Sequence, residues 1–329
     1  MATIPQCPRP DKGTQPVMPN GLRAEGGIPL FSFFHYNSFV RSFSRRVHHA
    51  LLGLGFSFLS LSVCGAQQAP AASGARILLL PHKLVTGERA TLAVLDVSGR
   101  LTPGVNIAFS NGDKVTTDAT GRALFVAPLS PGIISATIEG RSGRVTSTIL
   151  TPEDVPSTTE AVTAVPRVAS ISDRFEFLGH GFCGDADANH VTIAGLPGLV
   201  LASSPGALTV LPPPDMDPGS AIVQVSCGQK SAAPFTVVFV SLELEASNAA
   251  LAPGEHRTLI VRVRGSTAKV GLEARNLAPE VAELAGGTTV KAQSSGGGDN
   301  VAKFEMVGKQ HGNFTVSIRL LTPLSPPRA

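Results

Sequence analysis

Between Arg76 and Leu320 the chain is a succession of short apolar or alternating runs, each cut off by turn-forming residues within eight to twelve positions. The first stretch reads RILLL, ATLAVLD, VNIAFS, KVTTD, ALFVAP, GIISATIE and RVTSTIL. Side chains of a strand alternate between two faces, so a two-residue period closed by Gly, Pro, Asn or Asp marks a strand and its turn. No stretch of this part carries the 3.6-residue apolar period of an amphipathic helix. A composition of 43% hydrophobic but only 5% aromatic residues, with 34 Gly and 26 Pro, suits many short strands of small and β-branched residues. The chain is therefore predicted to be all-β, and seven strands in about 75 residues predict a sandwich of two sheets.

The same style continues twice more. After a small-residue linker at 67–75, the first unit is expected at 76–150. TPEDVPSTTEAVTAVP at 151–166 has the Pro and Thr content of a linker. A second unit at 167–240 contains VASIS, RFEFLG, HVTIAG, LVLAS, ALTVLP, AIVQVSC and APFTVVF, with PPPDMDPG as a loop. A third at 241–323 contains LELEAS, RTLIVRVR, KVGLEAR, EVAELAG, TVKAQS, VAKFEMV and NFTVSIRL, with SGGGDN as a flexible hairpin connection, and 324–329 is a tail.

A repeat sharpens this division. LVTGERATLAV (Leu84 to Val94) and LAPGEHRTLIV (Leu251 to Val261) agree at six of eleven positions. Leu84 and Leu251 would end one strand, and Gly87-Glu88 and Gly254-Glu255 would turn the chain, with Gly free to take positive φ. Leu92/Val94 and Leu259/Val261 would be the inward face of the next strand. Glu88 and Glu255 are thus expected to be solvated turn residues rather than paired catalytic acids, and the repeat to mark where two sandwiches begin.

Family resemblances accompany these patterns. LTPGVNIAFSNGDKVTTDATGRALFVAP, with Thr117, Asp118, Gly121 and Ala123 in a T-D-x-x-G-x-A turn, resembles the bacterial Ig-like domain of the invasin/intimin kind. FLGHGFCGDADANHVTIAG, together with the LTVLPPP and VQVSCG segments C-terminal to it, resembles the IPT/TIG domain. The matching residues are Gly179, Gly181, Phe182, Asn189, Val191, Gly195 and Phe235. The third unit resembles Ig-like modules generically. These resemblances imply three tandem Ig-like β-sandwiches, and the residues before them are expected to form an N-terminal signal peptide. They imply little about activity, because such modules serve as spacers, adhesion units and enzyme accessories.

The signal is expected in residues 1–66. Arg45 and Arg46 precede the apolar run ALLGLGFSFLSLSV (Ala50 to Val63), and Cys64-Gly65-Ala66 supplies small residues for cleavage after Ala66. Fourteen apolar residues are short for a membrane span. SRRVHH resembles a twin-arginine export motif without its apolar follow-on, and LSVC resembles a lipobox, which makes Cys64 a candidate lipid anchor. Residues 1–66 hold six basic and two acidic residues, so the remainder carries 21 basic against 22 acidic of the chain's 27 and 24. The net charge of +3 therefore belongs to the presequence and argues for no nucleic-acid partner. Cys7 and Cys64 lie in that segment, which leaves Cys183 and Cys227. Two cysteines in an exported chain are expected to pair, and closing a loop of 44 residues stabilises by about 4 kcal/mol in the chain-entropy description.

The search for chemistry yields weak candidates. HGFCGDADANH brings His180, Cys183, Asp185, Asp187, Asn189 and His190 together, and D-x-D-x-N is how a Ca²⁺-binding EF-hand loop begins. However, His190 stands where that loop needs Gly, and Leu196 where it needs a bidentate Glu, so a polar turn is expected. Zinc would need three or four ligands, and Cys183 is expected to be oxidised. Ser266 and Lys269 match S-x-x-K, but Gly265 precedes them, a strand pattern comes next, and the companion motifs are missing. Five His after the presequence (His82, His180, His190, His256, His311) are scattered across the three units, so nothing nominates a catalytic triad. There is no Trp, and the lone Tyr36 precedes the predicted cleavage site, which argues against a sugar-stacking platform. The expectation is an exported non-catalytic protein without cofactor or metal. It would act in adhesion, protein–protein contact or spacing at the cell envelope, through a protein partner or envelope component met by strand edges or loops. The alternative is an accessory module of a secreted enzyme or transport system.

Overall fold

The computed structural model describes residues 76–154, 161–245, 251–312 and 314–327. Cys64 and the whole expected signal segment lie outside these residues. The described chain is a succession of strands, interrupted only by single 3₁₀ turns at Pro152–Asp154 and Ala186–Ala188.

In the N-terminal region the strands are β1 (Arg76–Leu79), β2 (Lys83–Val85), β3 (Arg89–Asp96), β4 (Asn106–Phe109), β5 (Lys114–Thr116), β6 (Arg122–Val126), β7 (Gly132–Ile138) and β8 (Arg144–Leu150). One sheet has the order β2-β8-β7-β4-β5, and β3 pairs β1 and β6 in the facing one. The two-residue period decides what they enclose. Ile134, Ala136 and Ile138 of β7 and Leu92 and Val94 of β3 point into one buried cluster with Phe109 and Phe125.

The middle region contains β9 (Ala161–Pro166), β10 (Val168–Ser170), β11 (Phe175–His180), β12 (Asn189–Ile193), β13 (Leu196–Ser204), β14 (Ala207–Leu211), β15 (Gly219–Cys227), β16 (Lys230–Ser231) and β17 (Phe235–Glu245). Its core is built around Phe177, whose ring meets Phe182 at 5.8 Å and Phe235 at 5.6 Å in edge-to-face contacts. In both regions a short early strand runs parallel to the last one, β2 to β8 and β10 to β17, as in Ig-like sandwiches.

The C-terminal region contains β18 (His256–Arg264), β19 (Gly271–Asn276), β20 (Ala282–Leu284), β21 (Thr289–Gln293), β22 (Val301–Gly308), β23 (Val316–Leu320) and β24 (Leu324–Ser325). Its cluster centres on Leu272, Ala274, Leu284, Phe304 and Met306 between a β20-β22-β18-β17 layer and a β21-β19-β23 layer. The all-β Ig-like sandwich architecture is thus present throughout the described chain.

Three details differ from the sequence-based expectation. Ala161–Pro166, in the stretch expected to be linker, is strand β9, because β11 on one side and β24 on the other supply its hydrogen-bond partners. β17 runs unbroken through the position where a boundary is expected, pairing β15 up to Phe239 and β18 from Ser241. FTVVFVSLELE holds no turn residue that could stop it. The expected tail contains β24, which returns to β9, with Arg167 Nε donating to Ser325 Oγ at 3.1 Å.

The N-terminal and middle regions are joined by packing as well as by chain. Ala93, Leu95 and Leu201 are buried together against Ile77, Leu79, Leu101 and Leu211. Thr91 on β3 bridges to Ser203 on β13, which links the two sheets across the junction.

Candidate functional site

The residues singled out by the D-x-D-x-N pattern sit at that junction. Asn189 is buried, and its amide is fully used. It donates to Cys183 O at 2.8 Å, Asp185 O at 2.9 Å and Ser203 Oγ at 2.9 Å, and it accepts from Cys183 N at 3.0 Å. The Asp185 side chain accepts from Asp187 N at 3.0 Å and caps the 3₁₀ turn at Ala186–Ala188. Asp187 reaches out of the loop to Arg122 of β6 at 2.7 Å, with Arg122 nearly buried and Asp187 exposed. Arg122 also donates to Val200 O at 3.2 Å. Thr91 Oγ1 donates to Gly184 O at 2.8 Å and accepts from Ala186 N at 3.1 Å. At Gly184 a Cβ would run into the Arg89 carbonyl oxygen, so glycine is what lets the loop approach β3 so closely.

The oxygens that resembled a Ca²⁺ loop are therefore spent on a turn and on a weld between two regions. Among the described residues no three His, Cys, Asp or Glu side chains converge as metal ligands. His190 is an exposed strand residue opposite Ser226. Cys183 and Cys227 are joined as a disulfide with Cα atoms 5.7 Å apart. The bond ties the junction loop to the end of β15, so it staples the loop that docks on β3.

His82 and Glu176 add a polar contact at the same junction. The His82 backbone N–H donates to Glu176 Oε1 at 3.1 Å, and the ring Nδ1 meets Oε2. The hydrogen bond to Glu176 raises the His82 pKa above its ordinary value against the opposing effect of burial.

The repeated L-x-x-G-E segments are turns with identical wiring. Gly87 (φ +70°) donates to Ala127 O, and Ala127 N returns a bond to Glu88 O. Gly254 (φ +78°) donates to Gly308 O, and Gly308 N returns one to Glu255 O. Glu88 is exposed, but Glu255 does more than face solvent. Its carboxylate accepts from Ala252 N at 2.9 Å and pairs Arg257, and these two contacts lower its pKa. Asp118 in the T-D-x-x-G-x-A turn is likewise a turn residue. It accepts from the Thr120 hydroxyl at 2.6 Å and Thr120 N at 2.8 Å, which lowers its pKa.

Ser266 opens a surface turn between β18 and β19, not a helix, and its hydroxyl accepts from Ala268 N at 3.1 Å. The nearby cavity of about 430 Å³ is lined by Arg262, Arg264, Ser266 and Thr267. Its cations are engaged, Arg262 with Glu245 and Asp299, and Arg264 with Glu243. The SGGGDN connection is tied down rather than loose. Buried Asn300 donates to Ser266 O at 2.9 Å and Ala268 O at 2.8 Å, and its Oδ1 accepts from Gly296 N.

Large apolar side chains do reach the surface in the N-terminal region. Leu129 is 85% exposed and Ile133 79%, on the connection from β6 to β7 and the start of β7. Leu124 and Val126 on β6 are also exposed. Among the described residues no helix is long and apolar enough to cross a membrane.

No protein-family model matches the chain. No curated protein matches it either. Among solved structures the chain is similar to the Bacteroides ovatus mixed-linkage glucan utilization locus protein SGBP-B in complex with a mixed-linkage heptasaccharide. That similarity has 12% identity over 73% of either chain and a TM-score of 0.31. It is also similar to the fibronectin(III)-like modules of Clostridium thermocellum CbhA, with 13% identity, 50% of this chain and 93% of that one covered, and a TM-score of 0.18. The tandem Ig repeats of Dlar give 13% identity, 51% and 100% coverage, and a TM-score of 0.20.

Proposed function

We propose that this chain is an exported, non-catalytic protein of three Ig-like modules that works by adhesion, protein–protein contact or spacing at the cell envelope. The observation that carries the reading is the weld between β3 and the Cys183–Asn189 loop. There the polar side chains of the Cys183–Asn189 loop are consumed in fixing one sandwich against the next. A spacer or contact protein needs such fixed joints, because loops presented from them keep a defined relation to the attachment point. The continuous strand β17 gives the middle and C-terminal regions a second fixed joint. The turn chemistry of Thr117, Asp118 and Gly121 supports an invasin/intimin-like first module, and the Asn189 turn supports an IPT/TIG-like second one. Exposed Leu129 and Ile133 are the side chains best placed to meet a partner.

The test is to express the full chain in a bacterial host, fractionate the cells, and digest intact cells with protease. The expected result is chain outside the cytoplasm, cleaved after Ala66 or lipidated at Cys64, with Cys183 and Cys227 oxidised. Full-length cytoplasmic protein with free thiols would overturn the reading.

A further inference from the structure

Among the described residues, the C-terminal sandwich lacks a strand that the other two regions possess. In the N-terminal region β7 is flanked by β4 and β8, and in the middle region β15 is flanked by β12 and β17. The corresponding β23 pairs β19 on one side, and among the described residues no strand pairs its other edge. Leu321 N donates to Gly271 O and Leu277 N to Thr315 O, which places 315, 317, 319 and 321 in the hydrogen-bonding positions toward β19. The backbone groups of Val316, Ile318 and Leu320 therefore face outward along the open edge. Their side chains pack on the core cluster but stay only partly buried, as do Leu242 and Leu244 of β17.

Natural sheets guard such edges with lysine. Lys83 on β2, Lys114 on β5, Lys230 on β16 and Lys291 on β21 do this for strands that have a single partner, while β1, β6 and β20 carry none. β23, VSIRL, has no lysine, and its one charge, Arg319, is tied to Glu273 at 2.6 Å. Among the described residues nothing guards this edge.

From this we infer that β23 is a self-association edge, pairing antiparallel with β23 of a second copy of the chain. The strand is complementary to itself in one register. Only residues whose backbone faces outward can exchange hydrogen bonds, and the register that overlaps the whole strand sets Ile318 opposite its own copy and Val316 opposite Leu320. That register makes about six interstrand hydrogen bonds and puts three apolar pairs on the core side. On the outer face it sets Ser317 opposite Arg319 of the second copy, so no like charges oppose. The two-fold axis stands perpendicular to the joined sheet, which brings both half-open core seams to the same side of the interface. The second copy thereby takes the place that β8 and β17 fill for the other two regions.

The test uses the full chain and two substitutions on the outer face, where the core is not disturbed. Sedimentation over roughly 1 to 100 μM reads the dimerisation constant. Ser317→Arg sets two Arg–Arg pairs across the interface and is expected to weaken dimerisation about fivefold. Ser317→Glu sets two Glu–Arg pairs and is expected to tighten it about fivefold. Thermal melting of each variant separates this from an effect on the monomer, since residue 317 also faces Arg275 on β19. Hydrogen exchange should show the Val316, Ile318 and Leu320 amides gaining protection as concentration rises. A chain that stays monomeric overturns the inference, as does a dimer indifferent to both substitutions. Protection of those amides at every concentration overturns it too, because the edge would then be covered by a segment of the same chain.

Discussion

The middle and C-terminal regions share a strand, β17, yet among the described residues one core is closed and the other is only partly so. Among the described residues, nineteen buried ones pack together around Phe177, and Val162 and Ile171 join them half-exposed. Around Phe304 eleven are buried and twelve hydrophobic neighbours remain partly open, among them Leu242, Leu244, Val316, Ile318 and Leu320. Aliphatic content does not account for this, since both regions are rich in Val and Leu. Closure does: the middle region keeps its last strand beside β15, and among the described residues β23 has no such neighbour. Apolar surface stabilises in proportion to the area removed from water, so side chains that stay partly exposed are only partly effective.

The largest test of this contrast is truncation of the two central rings. Phe177→Ala removes a ring packed on Phe175, Phe182 and Phe235 in a cluster with little room to relax, and should cost about 5 kcal/mol. Phe304→Ala should cost about 3 kcal/mol, the lower end for such a change, because partly exposed neighbours can close over the gap. Hydrogen exchange of the β11 and β22 amides reads each region separately. Equal losses would mean that the C-terminal cluster is as tightly packed as the middle one.

A second test removes the staple that only the middle region has. Replacing Cys183 and Cys227 together by Ser should cost about 4 kcal/mol in the chain-entropy description, given their separation of 44 residues. Protection should fall in β11 and β15 and also in β3, because the loop after Cys183 carries the Gly184 and Ala186 contacts to Thr91. β22 should be unaffected. If β3 keeps its protection while β15 loses it, the disulfide does not hold the junction.

The contrast is unevenly written in the sequence. The inward faces are legible from alternation alone. Ala221, Val223 and Val225 on β15 and Ala302, Phe304 and Met306 on β22 all fall on the two-residue period. The turns at Gly87 and Gly254 are legible because positive φ selects glycine. The role of the loop at 184–189 is not, since it depends on Thr91, Arg122 and Ser203, and the first two lie on another sandwich. β9 is hidden for the same reason: a Pro/Thr-rich segment becomes a strand because β11 and β24 offer it partners. The open edge leaves no local signal at all. VSIRL is an ordinary strand sequence, and what distinguishes it is that no strand among the described residues pairs its second edge.

The smallest effect is on pH dependence, where the junction and the C-terminal region should respond in opposite directions. His82 at the middle region's junction has its pKa raised by Glu176, so the folded state favours the protonated ring. That contribution is complete below the unfolded value of 6.5 and is lost as pH rises through the higher folded value. The ring is largely exposed, so the gain is a few tenths of a kcal/mol. Glu255 in the C-terminal region has its pKa lowered by Ala252 N–H and Arg257. Its contribution is present above the unfolded value of 4.5 and is lost as pH falls through the lower folded one. The measurement is stability of His82→Gln and Glu255→Gln relative to the parent from about pH 3 to about pH 8. The His82→Gln difference should shrink only on the alkaline limb and the Glu255→Gln difference only on the acid limb. A His82→Gln difference that stays flat above pH 6.5 would show that the Glu176 contact does not hold the junction. The weld would then rest on Thr91, Arg122 and the buried cluster alone.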